Sequence, residues 1–135
     1  MILICCIEDA LGMAFSRRRV SRDRAVCEDM LREAGSSPIW MDVRSTVLFR
    51  DMGGNIITEP DFALKASRGE YCFLEFSAPA QYEEKAEKLI LYRWNRRYPS
   101  DLKFDIDLGS WSLETSCDFA GTSHDTITKE VYVRE

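Results

Sequence analysis

The chain opens on an apolar run, ILICCIE over residues 2–8, without the polar alternation of a half-exposed strand. Such a run predicts a strand buried on both faces of a sheet. The next pattern is helical. In SRDRAVCEDMLREA (21–34), Ala25, Val26, Met30 and Leu31 fall at helical spacing, with Ser21 as the expected N-cap and Gly35 as the stop. PIWMDV (38–43) reads as a second strand, a short helix is expected over 44–50, and Met52-Gly53-Gly54-Asn55 reads as a turn. NIIT (55–58) is a short strand, and Glu59-Pro60 starts a helix through Lys65, since proline fits a first helical turn. YCFLEF (71–76) reads as a strand, Pro79 to Lys88 as a helix capped by Ser77, and LILYRW (89–94) as a further strand. The last third reads as two longer antiparallel strands, the first opened by Trp111. Strands that alternate with helices and close on a hairpin predict an α/β domain. Its expected form is a three-layer, mixed but mostly parallel sheet with helices on both faces and a C-terminal antiparallel hairpin.

Composition narrows the picture. With 135 residues, 45% of them hydrophobic and 30% charged, the chain is expected to form one domain with a core of its own. No apolar run approaches the roughly 20 residues that span a bilayer. The first residues lack a basic region and reach acids within MILICCIED, so they read as a strand and not as a signal peptide. Five cysteines, with no C-x-x-C spacing, fit a reducing cytoplasmic setting without structural disulfides or zinc. A net charge of −5 argues against general nucleic-acid binding.

Against that acidic background one basic cluster stands out. Arg17, Arg18, Arg19, Arg22 and Arg24 lie close together on a loop that feeds a helix. Such a run can clamp a phosphate, a carboxylate tail or a partner; it can equally be a solvated loop paired with Glu8, Asp9, Glu28 and Asp29. Arg93, Arg96 and Arg97 surround Trp94 and Tyr98 in a weaker echo. His124 is the sole histidine, which excludes a multi-histidine metal site and argues against a Ser-His-Asp triad. Ser123-His124-Asp125 is read as a hairpin tip. No Walker loop, G-x-G-x-x-G or G-x-S-x-G occurs. Cys27 falls at a core position of the first helix, with no base in view.

The final third, KAEKLILYRWNRRYPSDLKFDIDLGSWSLETSCDF followed by SHDTITKEVYVRE, resembles the C-terminal half of dihydrofolate reductases. Those enzymes carry KAxKLxLT, then an acid, FP, W, SH and a final aromatic strand in the same order. The element order upstream is similar too. Gly12-Met13 stands where the family opens its mobile active-site loop, with Phe15 as the aromatic substitute for a following Trp. The resemblance implies that Asp23 is the acid that orients a pterin, and that Arg44, Ser45 and Thr46, after the Pro38-Ile39-Trp40-Met41 strand, hold NADPH phosphates. The residues allow Asp23 a second reading, as a first-turn acid favoured by the helix dipole and salt-bridged to Arg22 and Arg24. The stretch from Gly53 to Arg68 is shorter than in the family.

One departure matters most. The family places a Gly-Gly pair after the strand that precedes its fourth helix, so that backbone can approach the cofactor pyrophosphate. Here Leu74-Glu75-Phe76 occupy that place, bulky and anionic, and NADPH is not expected to bind in the usual mode. The leading expectation is a non-catalytic, regulatory protein that binds a small anionic or heterocyclic ligand, or a protein partner, with no cofactor and no metal. Its expected ligand-binding residues are Gly12, Met13, Phe15, Arg17, Arg18, Arg19, Arg44, Ser45 and Thr46, with Asp23 as the one catalytic candidate. The alternatives are an NADPH-dependent reductase of a pterin-like heterocycle, and a mobile-element-encoded inhibitor acting through its surface.

Overall fold

The computed structural model describes every residue from Met1 to Glu135. In chain order its elements are β1 (Ile2–Ile7), β2 (Gly12–Phe15), β3 (Arg18–Arg19), α1 (Arg24–Ala34), β4 (Ile39–Met41), a 3-10 helix over Val43–Phe49, β5 (Ile56–Thr58), α2 (Phe62–Lys65), β6 (Tyr71–Phe73), a 3-10 helix over Pro79–Lys85, β7 (Lys88–Arg93), β8 (Leu102–Lys103), a 3-10 turn over Leu108–Ser110, β9 (Trp111–Phe119) and β10 (Ile127–Arg134). Seven strands form one sheet in the order β5-β4-β6-β1-β7-β10-β9. Strands β5, β4, β6, β1 and β7 run parallel, and β10 and β9 add an antiparallel ribbon at one edge.

The apolar run at the start of the chain is explained by its central position in this sheet. Successive side chains of a strand point to opposite faces. Leu3, Cys5 and Ile7 join one buried cluster with Phe62, Leu74, Leu89 and Trp111. Ile2 and Ile4 join the other, with Val26, Met30, Ile39, Phe73 and Trp94. Both faces are covered, so neither tolerates polar residues. Helix α1 lies on the second face through Val26, Cys27, Met30 and Ala34. Gly35, at φ 58°, ends it and donates its N–H to the Leu31 carbonyl at 3.0 Å.

Several local expectations are corrected. Helix α1 begins at Arg24, and its N-cap is Asp23, not Ser21. The helices expected over 44–50 and 79–88 are 3-10 helices ending at Phe49 and Lys85, and the one after Pro60 is a single turn. Ser77 caps nothing, and Ala78 holds the cap position without a side-chain bond. The reason lies in the sheet: the Glu87 N–H bonds the Met1 carbonyl at 2.8 Å, and strand pairing takes over where the helix was expected to continue. A small sheet in the order β3-β2-β8 was also not anticipated. No helix is long and apolar enough to cross a membrane.

Candidate functional site

The parallel strands all end at one edge of the sheet, and the chain diverges there. From β1 it passes through α1, on one face, to β4. From β6 it crosses along the other face to β7. In open α/β sheets the crevice at such a divergence is where ligands bind. Around it stand the β2–β3 hairpin, the first turn of α1, the 43–49 helix, the turn after β6, and the 120–126 connection between β9 and β10.

At the turn after β6, Glu75 is 7% exposed and fully engaged. Arg19 meets it with two parallel bonds, Nε to Oε2 and Nη2 to Oε1, both 2.9 Å. Ser45, itself wholly buried, donates its hydroxyl to Oε1 at 2.7 Å. Fork-on-fork pairing of this kind is directional and strong. Arg19 Nη2 also donates to the Arg44 carbonyl at 2.9 Å. The next side chain, Phe76, lies under the Arg44 guanidinium at 4.2 Å and near that of Arg19 at 5.6 Å. These contacts engage Glu75 and Phe76 at the end of β6.

The arginine run divides in two. Consecutive residues of β3 face opposite ways, so Arg19 turns inward while Arg18 is exposed. Arg17 occupies the hairpin turn with Ser16, at φ 66° and 49°, the paired positive values of a two-residue turn that matches strand twist.

Asp23 is 3% exposed and accepts four hydrogen bonds. Oδ1 receives the N–H groups of Ala25 and Thr122, both at 2.9 Å. Oδ2 receives the Ser123 N–H at 2.8 Å and meets His124 Nδ1 at 2.9 Å. Burial alone would raise this carboxyl, but the bonds from Thr122, His124, Ser123 and Ala25 together outweigh it and hold the pKa below the ordinary aspartate value. A carboxylate only accepts, so Nδ1 of His124 carries the proton. The other ring nitrogen, Nε2, lies 2.9 Å from the Tyr98 hydroxyl and 3.0 Å from that of Ser21. The imidazole stacks on Trp94 with centroids 4.7 Å apart. Gly121 makes the approach possible, because a Cβ there would sit 2.6 Å from Asp23 Oδ2. His124 therefore belongs to a buried network and is not a free hairpin tip. Asp23 is likewise not a solvated partner of Arg22 and Arg24.

Outside this network lies a groove of about 440 Å³, lined by Arg22, Arg24 and Arg50 together with Val47, Ser123 and Asp51. Arg24 reaches Glu28 at 3.8 Å, while Arg22 and Arg50 have no carboxylate partner. Beneath it, sharing Arg22, Asp23, Cys27 and Leu48, is a cavity of about 10 Å³ walled by Ser21, Cys6, Phe73, Glu75 and Trp94. That is room for about one water. Burial pushes the Cys27 thiol up to about 12, so it packs as an inert apolar group.

Among solved structures the chain is similar to dihydrofolate reductase from Enterococcus faecalis complexed with NADP(H) and RAB-propyl, with a TM-score of 0.69 over 99% of this chain and 95% of that one. The fold is dihydrofolate reductase-like. Identity between the two is 10%, so the likeness carries architecture and leaves chemistry to the residues. No family model and no curated protein matches the sequence.

Within this dihydrofolate reductase-like frame the sequence-derived site residues part company. Arg19, Arg44 and Ser45 converge on Glu75 and Phe76. Thr46 bonds back to the Val43 carbonyl at 2.7 Å. Phe15, Arg17 and Arg18 are exposed on the β2–β3 hairpin. Met13 is buried in the core, and Gly12 lies against Ser100 and Glu8. Asp23 stands apart, with Ser21, Tyr98, Trp94 and His124, none of which was singled out as a site residue. Only the singularity of His124 hinted at this group.

Proposed function

We propose that this dihydrofolate reductase-like protein binds a small anionic ligand or an acidic partner at its arginine-lined groove, and does not carry out NADPH-dependent reduction. The reading rests chiefly on the Arg19–Glu75 pair. A dinucleotide pyrophosphate brings two negative charges and needs open backbone at the strand end. Here that place holds a carboxylate with a bidentate partner, the Ser45 hydroxyl and the Phe76 ring. The groove offers the opposite: three arginines, two of them without a carboxylate partner, around space for a small molecule.

The second reading, a reductase of a pterin-like heterocycle, draws on the buried Asp23 carboxylate beside the small cavity. Its four internal hydrogen bonds leave it little capacity to receive an amidine edge.

Thermal-shift titrations with pyrophosphate and with citrate test the binding reading. A rise in Tm, diminished by salt and lost in Arg22→Ala/Arg50→Ala, is the expected result. No rise, or a rise indifferent to those substitutions, contradicts it.

A further inference from the structure

The Asp23–His124–Ser21 connection does more than tie a loop to a helix. Reading outward from the buried carboxylate, Asp23 Oδ2 holds His124 Nδ1 at 2.9 Å, and His124 Nε2 lies 3.0 Å from Ser21 Oγ. This is the connectivity by which an acid orients an imidazole and the imidazole activates a hydroxyl. The ring is fixed from its face by the stacked Trp94 and cannot rotate freely. Ser21 is half-buried and lines the small cavity, whose wall shares Arg22, Asp23, Cys27 and Leu48 with the groove.

A second observation points to the same cavity. Trp94 is 4% exposed, and its indole Nε1 is the one buried side-chain polar atom without a hydrogen-bond partner. A buried donor left unpaired is destabilising and asks for an explanation. Trp94 walls the cavity beside Ser21. An indole N–H without a protein acceptor can serve an oxygen that gains negative charge during reaction.

We propose that Ser21, His124 and Asp23 form an acyl-transfer site that hydrolyses short-chain acyl esters of anionic alcohols, with Trp94 N–H as the oxyanion donor. Ser21 is the nucleophile, His124 the base and Asp23 the positioning residue. The Ser21 oxygen bonds the ester carbonyl carbon, and its proton passes to His124 Nε2 directly or through the Tyr98 hydroxyl, 3.2 Å from Ser21 Oγ. Collapse of the tetrahedral species breaks the ester C–O bond, and His124 returns the proton to the departing alkoxide. Water then repeats the sequence on the acyl-serine, releasing the carboxylic acid and restoring Ser21. No oxidant or reductant is involved. The cavity, with room for about one water, takes only the carbonyl oxygen and leaves the acyl and alcohol groups to the groove, where Arg22, Arg24 and Arg50 favour a negative charge on the alcohol half.

The test uses a short-chain fluorophosphonate, with intact-mass and peptide mapping, alongside hydrolysis of p-nitrophenyl acetate. One adduct on Ser21 is expected, with adduct formation abolished and hydrolysis reduced at least 100-fold in Ser21→Ala, a variant that keeps the His124–Asp23 contact. A downfield imidazole N–H proton resonance should persist in Ser21→Ala and vanish in Asp23→Asn, which separates a positioning role for Asp23 from simple support of the fold. An unlabelled wild-type protein, an adduct on Ser123 or elsewhere, or undiminished hydrolysis in Ser21→Ala would overturn the proposal.

Discussion

Arg19 and Glu75, 56 residues apart in the chain, face each other through two 2.9 Å hydrogen bonds at the point where β1 and β6 diverge. The Glu75 carboxylate is almost wholly buried, and the Arg19 side chain keeps 20% of its exposure. Removing one partner strands the other's charge in a poor solvent. Glu75→Ala is therefore expected to cost about 3 kcal/mol, the low end for a buried pair because Arg19 retains some water. Replacing both, as Arg19→Met/Glu75→Leu, should restore stability to within about 1 kcal/mol of the parent. Urea unfolding of the two variants decides the matter. Equal losses in both would show that the pair is not coupled.

Gly12 is held by space. A Cβ there would lie 2.0 Å from Ser100 Oγ and 2.3 Å from Glu8 Oε2. Gly12→Ala should destabilise by about 1–3 kcal/mol through overpacking. Gly12→Ala/Ser100→Gly should recover only part of the loss, because Glu8 Oε2 stays in the way and loses the Ser100 hydroxyl. Thermal melts of the single and double variants measure this.

Acid should loosen the fold through two buried carboxylates. Glu8 receives N–H groups from Ala10 and Gly12 and the Ser100 hydroxyl. Burial works to raise it, as it does Asp23, but in both the hydrogen bonds prevail and the folded pKa lies below the ordinary value. A depressed folded pKa gives stability that is complete above the unfolded value and is lost as pH falls through the folded one. Unfolding free energy should therefore decline between about pH 5 and pH 1, and Glu8→Gln should flatten that decline. A profile unchanged by Glu8→Gln would contradict the assignment.

The thiols should divide sharply. Cys5, Cys27 and Cys72 are buried, the Cys5 and Cys6 thiols are raised well above the ordinary value chiefly by burial, and Cys117 is exposed on β9. A disulfide-exchange reagent should titrate one thiol of the five in the native protein, lost in Cys117→Ser, and all five after denaturation.

What the sequence disclosed was periodic or singular. The ILICCIE run announced a strand covered on both faces, and Ala25, Val26, Met30 and Leu31 announced α1. Two-residue strands such as β3 and β8 carry no period, so the small sheet they form with β2 was invisible. The division of the arginine run was hidden for a different reason. Whether Arg17, Arg18 or Arg19 turns inward depends on a carboxylate that arrives only when β6 pairs with β1. Asp23 showed as a helix-initiating acid, but its main partners, Thr122 to His124, lie about a hundred residues away in sequence and come close through the β9–β10 connection. Local spacing cannot report such a meeting. Leu74-Glu75-Phe76 stood out in the sequence by charge and bulk, but the Arg19 and Ser45 contacts that engage Glu75 did not.

Calorimetric titration of the wild-type protein with NADPH, alone and with methotrexate, tests most directly whether the Glu75 pairing keeps the cofactor out. With Glu75 bound to Arg19 and Ser45, no saturable heat and no rise in Tm are expected from either compound. Micromolar or tighter NADPH binding, with stabilisation approaching the roughly 2.7 kcal/mol expected at about 100-fold saturation, would mean that the pair opens and the reductase reading is the correct one.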